Sequence, residues 1–243
     1  MVARLPLVDD PFWFPGRWIG GLSLVLAPLF LLTGALIRIG INFFFPYQLE
    51  AMASQPDTIF ASYSFFLAGN ILLWPAILTL TTFIGRTNPA WALWGGTFVM
   101  LGLFARTFHA GIDHFALQMV PIIGVSEAKE IVSSSYGSYH VVSALNGCIL
   151  FGWILLAIGS YRSKTLKLVS SICLALMAML MMGVLKGTSV TSVVALSGLT
   201  TALVPFGVRV LSSGANPGWL KVASWAVAIT VLTMLLAYTG QLG

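Results

Sequence analysis

Long apolar runs separated by short polar punctuation organise this sequence. A helix needs about 20 mostly apolar residues to cross a hydrocarbon core of about 30 Å, and seven runs fall in or above that range. They lie near Trp18–Phe45, Thr58–Ile84, Ala90–Val120, Gly137–Tyr161, Leu168–Leu185, Thr188–Leu211 and Trp219–Thr239. The third is too long for the core and is expected to tilt or to project from it. The fifth and sixth form one apolar stretch of about 44 residues, interrupted only by Lys186-Gly187-Thr188. That is too long for one crossing, and the tripeptide reads as a tight outer turn. The pattern therefore predicts an all-α fold, a polytopic transmembrane helix bundle of seven spans. Residues 18–243 read as a single transmembrane domain. Residues 1–17, with Trp13, Phe14 and Pro15 ahead of Arg17, read as an interfacial lead-in. The first apolar run is too long for a cleaved signal peptide, and no small-x-small site follows it.

Composition agrees with a lipid solvent. The chain is 58% hydrophobic and 8% charged, with a mean hydropathy of +0.95, whereas a soluble domain carries roughly 25% charged residues. The net charge of +5 does not indicate nucleic acid, because the twelve Lys and Arg are scattered between apolar runs and form no patch. Cys148 and Cys173 both sit inside apolar runs and read as small packing residues. The methionines around Met177, Met179, Met181 and Met182 read as adaptable packing.

The basic residues set an orientation, since cytoplasmic loops carry the excess of Lys and Arg. With the N-terminus cytoplasmic, Arg4, Arg17, Arg86, Arg162, Lys164, Lys167, Arg209 and Lys221 fall at cytoplasmic ends. Glu50, Asp57, Glu127, Lys129 and Glu130 then fall outside. Seven spans place the C-terminus on the extracytoplasmic side. Trp91, Trp94 and Trp219 fit an aromatic belt at the cytoplasmic interface.

Ionisable groups inside the spans are costly in hydrocarbon and usually face a bundle interior or a wet cavity. On the third span, steps of three and four place Gly95, Val99, Gly102, Arg106, His109 and Asp113 on one face; His114 points off it. His109 lies roughly 22 Å from the Trp94 belt, in the outer leaflet. The fourth span carries Tyr136, His140, Ser143 and Gly147 on one stripe, with Asn146 beside it. Arg38 and Asn42 on the first span, Tyr63 and Asn70 on the second, and Lys186 between the fifth and sixth fall at similar depth. Together they predict a polar pocket in the outer half of the bundle. The ligand-binding set is Arg38, Asn70, Arg106, His109, Asp113, His140, Asn146 and Lys186.

Three functions fit such a pocket. Arg38, Arg106 and Lys186 make it electropositive, which suits binding or transport of an anionic amphiphile, a lipid-like or peptide ligand, because Arg matches carboxylate and phosphate. Alternatively, His109, Asp113 and His140 supply three ligands to a zinc ion whose fourth position holds a water, the arrangement of a hydrolase. No His-Glu-x-x-His type motif supports that reading. The third is a ligand-free subunit of a larger membrane complex, with another membrane protein as partner. Haem ligation by His109 and His140 stands below these. The electropositive character favours the binding class.

Seven spans with an outer-leaflet site resemble the ceramidase and adiponectin-receptor-like hydrolases. Those carry a His-x3-His pair in the last span, and the seventh span here has no histidine, so membership does not follow. The string Ser62-Tyr-Ser-Phe-Phe-Leu-Ala-Gly-Asn-Ile-Leu-Leu-Trp-Pro75, with Phe104-Ala-Arg-Thr-Phe-His-Ala-Gly-Ile-Asp-His114, resembles an uncharacterised family of bacterial multi-pass membrane proteins. The resemblance covers most of the chain. It implies a bacterial plasma-membrane protein and supplies no catalytic role.

Overall fold

In a computed structural model, residues 13–135, 140–180, 183–215 and 217–240 are described. The expected interfacial segment lies outside them up to residue 12. Among the described residues the chain is helical and contains no strand. The helices are α1 (Arg17–Ile37), α2 (Phe45–Ser54), α3 (Pro56–Gly85), α4 (Pro89–Ile123), α5 (Val125–Ser135), α6 (Asn146–Arg162), α7 (Leu168–Ala175), α8 (Val190–Ser212) and α9 (Trp219–Gly240). Short 3₁₀ turns precede α6 (Val141–Leu145) and extend α7 (Leu176–Met179).

The boundaries follow from local chemistry. Proline opens α3 and α4, where its missing N–H has no helical partner to lose. Gly124, at φ +92°, closes α4 in a conformation that other residues rarely adopt. The first span was expected to run to Phe45, but α1 stops at Ile37. Beyond it the Asn42 side chain accepts the Phe44 N–H at 3.2 Å, and the Asn42 carbonyl accepts the Gln48 amide at 2.6 Å. These local bonds turn the chain into α2, which the apolar run had concealed.

Among the described residues five helices are long and apolar enough to cross a membrane: α1, α3, α6 with its 3₁₀ turn, α8 and α9. Two of the seven expected spans fall outside this group. α4 has 35 residues, roughly 52 Å of helix, but Arg106, His109, Asp113 and His114 interrupt its apolar run. Where a fifth span was expected, helix runs only from Leu168 to Met179, and the described residues 183–189 are non-helical before α8 begins at Val190. Leu180 and Leu185 in that stretch are nonetheless buried. Irregular backbone at membrane depth is tolerated where protein surrounds it or where it lines a cavity.

The chain divides into two compact units, Met1–Ser212 and Ser213–Gly243. In the first, packing neighbours run α1, α3, α4, α6, α7, α8 and back to α1, a closed ring. Its core is filled by Leu24, Leu31, Leu73, Ile77, Leu103, Trp153 and Phe206. A smaller cluster of Leu49, Ile59, Leu117, Val120, Val132 and Leu185 joins α2 and α5 to the start of α3 and the end of α4. The Lys129 ammonium pairs with Glu50 across α2 and α5. Exposed Leu, Ile, Phe and Val side chains cover the outside of the ring, a surface suited to lipid. In the second unit, α9 is a single apolar helix of 22 residues with none buried.

Candidate functional site

The expected stripe on α4 is present. Gly95, Val99, Gly102, Arg106, His109 and Asp113 are all buried, while His114 is exposed. Its first half, Gly95, Val99 and Gly102, packs on α6; its second half meets the segment before α8, which three side-chain ties fasten. Arg106 donates from Nη2 to the Leu180 carbonyl at 3.4 Å. Asp113 accepts the Leu185 N–H through Oδ1. Arg38 donates from Nε to the Thr188 hydroxyl at 3.2 Å. Gly187 donates its N–H to the Phe43 carbonyl at 2.9 Å. A Cβ on Gly187 would lie 2.5 Å from the Gln48 amide nitrogen and 2.9 Å from the Phe43 Cα, so only glycine fits there. Leu185 itself takes φ +50° with its side chain fully buried.

These contacts enclose a cavity of about 50 Å³, lined by Arg38, Tyr63, Asn70, Arg106, His109, Asp113, Lys186, Thr188 and Ser192, among others. One water needs roughly 10–15 Å³, so the cavity holds roughly three to five waters or one small oxyanion group. Its walls are electropositive. Arg38 and Arg106 are 4% and 7% exposed. The Arg38 guanidinium lies over the Tyr63 ring at 4.4 Å and the Phe66 ring at 5.0 Å. Its Nη1, with Nε and Nη1 of Arg106, is buried without a hydrogen-bond partner. Among the described residues neither arginine forms an ion pair with Asp113, whose Oδ1 is taken by the Leu185 N–H. Asn70 holds α3 to α4 by donating to the Thr107 hydroxyl at 2.8 Å. Lys186 lies over Phe43 and Phe44 and lines the cavity edge.

A second, larger space adjoins it. This cleft of about 540 Å³ is bounded by His109, Ile112, Phe115, Met119, Val132, His140, Ser143, Asn146, Gly183 and Lys186, among others. His109, Gly183 and Lys186 line both spaces. The two histidines meet edge to face with ring centroids 6.0 Å apart, and Phe108 packs on His140 at 5.1 Å. Both Nδ1 atoms and the Asn146 amide oxygen are buried without partners. His140 precedes its helix as the cap of the 3₁₀ turn; Tyr136 lies outside the described residues. Asn42 takes part in the α1–α2 turn.

Of the proposed zinc ligands, His109 and His140 come together, but Asp113 is turned to the Leu185 N–H. No group of three or more His, Cys, Asp or Glu among the described residues is arranged to hold a metal ion. Sequence reasoning missed the Leu180 carbonyl, the Leu185 N–H and Thr188. The only signal for them was the pair of glycines, Gly183 and Gly187, within an otherwise apolar run.

The Asp113 contact has a direct test. Asp113→Asn keeps an acceptor for Leu185 and is expected to fold with a small loss of thermal stability in detergent. Asp113→Ala strands a buried N–H, which costs about 1–3 kcal/mol, and is expected to melt clearly lower. Equal melting of the two variants would show that the carboxylate does not hold the segment.

No protein-family model, curated protein or solved structure matches the chain.

Proposed function

We propose that this chain binds an anionic amphiphile inside the membrane, with the anionic group between Arg38 and Arg106 and the apolar part in the cleft beside α4, α5 and α6. The observation that carries this reading is the pair of deeply buried guanidinium groups opening into one small cavity with unpartnered nitrogens. A buried, unsatisfied charged donor is expensive. A bound anion removes the cost for both arginines at once. The adjoining cleft, lined mainly by apolar side chains and sharing three residues with the cavity, suits a hydrocarbon tail.

In this reading the chain makes seven crossings of a bacterial plasma membrane, five by the long apolar helices, one by α4 and one by the broken segment of α7. The N-terminus is cytoplasmic, and the site lies in the outer half. Discontinuous helices that line a buried polar site are also how transporters build substrate sites, so transport is a natural extension of binding. The zinc-hydrolase alternative has less support, because Asp113 is engaged elsewhere.

Native mass spectrometry of the purified full chain, beside metal analysis, tests the proposal. A retained anionic lipid without stoichiometric zinc is the expected result, and stoichiometric zinc without lipid would overturn it. Topology has its own check. A reporter fused at Gly243 is expected to read as extracytoplasmic and one at Ser163 as cytoplasmic; a cytoplasmic Gly243 would mean that the broken segment does not cross.

A further inference from the structure

We infer that the anionic group is a phosphate monoester, carried by a lipid, and not a carboxylate or a phosphodiester; the inference rests on the binding reading above. Donor count is the first argument. Arg38 Nη1 and Arg106 Nη1 carry two N–H each and Arg106 Nε one, so two, two and one make five unpartnered N–H groups on two side chains that line one cavity. Nε and Nη1 of Arg106 lie on different edges of its guanidinium plane, and Arg38 approaches from α1. A planar carboxylate offers two oxygens in a single plane. A phosphate monoester offers three strong acceptor oxygens, directed apart, with space for a bridging water.

Charge is the second argument. Arg38 and Arg106 set against Asp113 leave the cavity wall positive. A phosphate monoester carries about −1.5 to −2 near pH 7, whereas a carboxylate or phosphodiester carries one negative charge. Size is the third. A cavity of about 50 Å³ takes an unsubstituted phosphoryl group, but not one bearing a glycerol, sugar or choline beyond the phosphorus. The fourth argument is the exit. His109, Gly183 and Lys186 line both the cavity and the cleft, so the ester oxygen can leave through one junction into apolar surroundings.

The test compares ligands on the wild-type chain in neutral detergent, by thermal shift and by competition for a retained lipid. The ligands are dodecyl phosphate, dodecyl methyl phosphate, laurate and inorganic phosphate. Dodecyl phosphate is expected to bind about tenfold tighter, or more, than each of the others, a difference of about 1.4 kcal/mol. Equal binding by laurate or by the methyl diester overturns the monoester assignment while leaving the anionic-amphiphile reading intact. Equal binding by inorganic phosphate overturns the lipid source. Failure of all four to bind removes both readings. The same ranking is expected to flatten in Arg38→Gln, and a full ranking retained there would also overturn the assignment. Because the wild-type comparison stands alone, a poorly folded variant does not decide the outcome.

Discussion

Gly102→Leu is expected to abolish the folded, monodisperse protein or to lower its thermal stability more than any substitution at the polar site. A Cβ at residue 102 would sit 2.1 Å from the Ile149 Cβ and 2.8 Å from the Ile149 Cα. The same closeness recurs along the pair: a Cβ on Gly152 would meet the Val99 nitrogen at 2.6 Å, and one on Gly95 the Leu156 nitrogen at 2.9 Å. α4 and α6 thus touch backbone to backbone through glycines, the way membrane helices gain packing when lipid offers no hydrophobic drive. Overpacking a well-filled contact costs about 1–3 kcal/mol, and more when backbone must move. The displaced pair would also separate His109 from His140. Thermal unfolding in detergent, with size-exclusion chromatography, checks this. Adding Ile149→Ala is expected to recover part of the loss, because the two sites share one contact. Wild-type melting of Gly102→Leu would show that the helices do not approach this closely.

How much of this was legible in the sequence varies element by element. The α4 stripe was legible because its residues recur at helical spacing, and burial follows that spacing from Gly95 to Asp113. The meeting of His109 with His140 was legible because antiparallel neighbours bring those depths together. The fifth span was not. A buried irregular segment is as apolar as a buried helix, and hydropathy does not distinguish them. Lys186-Gly187-Thr188 was therefore read as an outer turn, whereas Thr188 and Gly187 in fact bond to Arg38 and Phe43 at the site. The helices α2 and α5 were hidden for opposite reasons. α2 begins inside the tail of an apolar run, and α5, Val125–Ser135, is short and polar enough to pass for a loop. The partner of Arg106 was not legible, because Asp113 lies seven residues away, two full turns, and the sequence offers no other acceptor at that depth. The nearer acceptor proved to be a carbonyl that only the broken segment exposes.

The arginine pair is where function and folding part. Arg106 is 7% exposed, and among the described residues its one hydrogen bond is a long one to Leu180. In a purely structural role, a buried cation would be expected to have a carboxylate within reach; here Asp113 is engaged by Leu185. Arg106→Gln keeps a donor for the Leu180 carbonyl and removes a buried charge that, in the proposed reading, a bound anion compensates. In lipid-stripped protein the variant is therefore expected to melt at or above the wild-type temperature, since a buried unpaired charge is destabilising. Wild type that has kept its lipid is expected to melt above both, because a ligand held only by the native state stabilises it.

The measurement that tests this most directly is native mass spectrometry of Arg106→Gln purified in parallel with wild type under identical detergent exchange. The account predicts an anionic lipid adduct on wild type and its loss from a variant that elutes and melts as folded protein. An adduct of unchanged mass and occupancy on Arg106→Gln would contradict it.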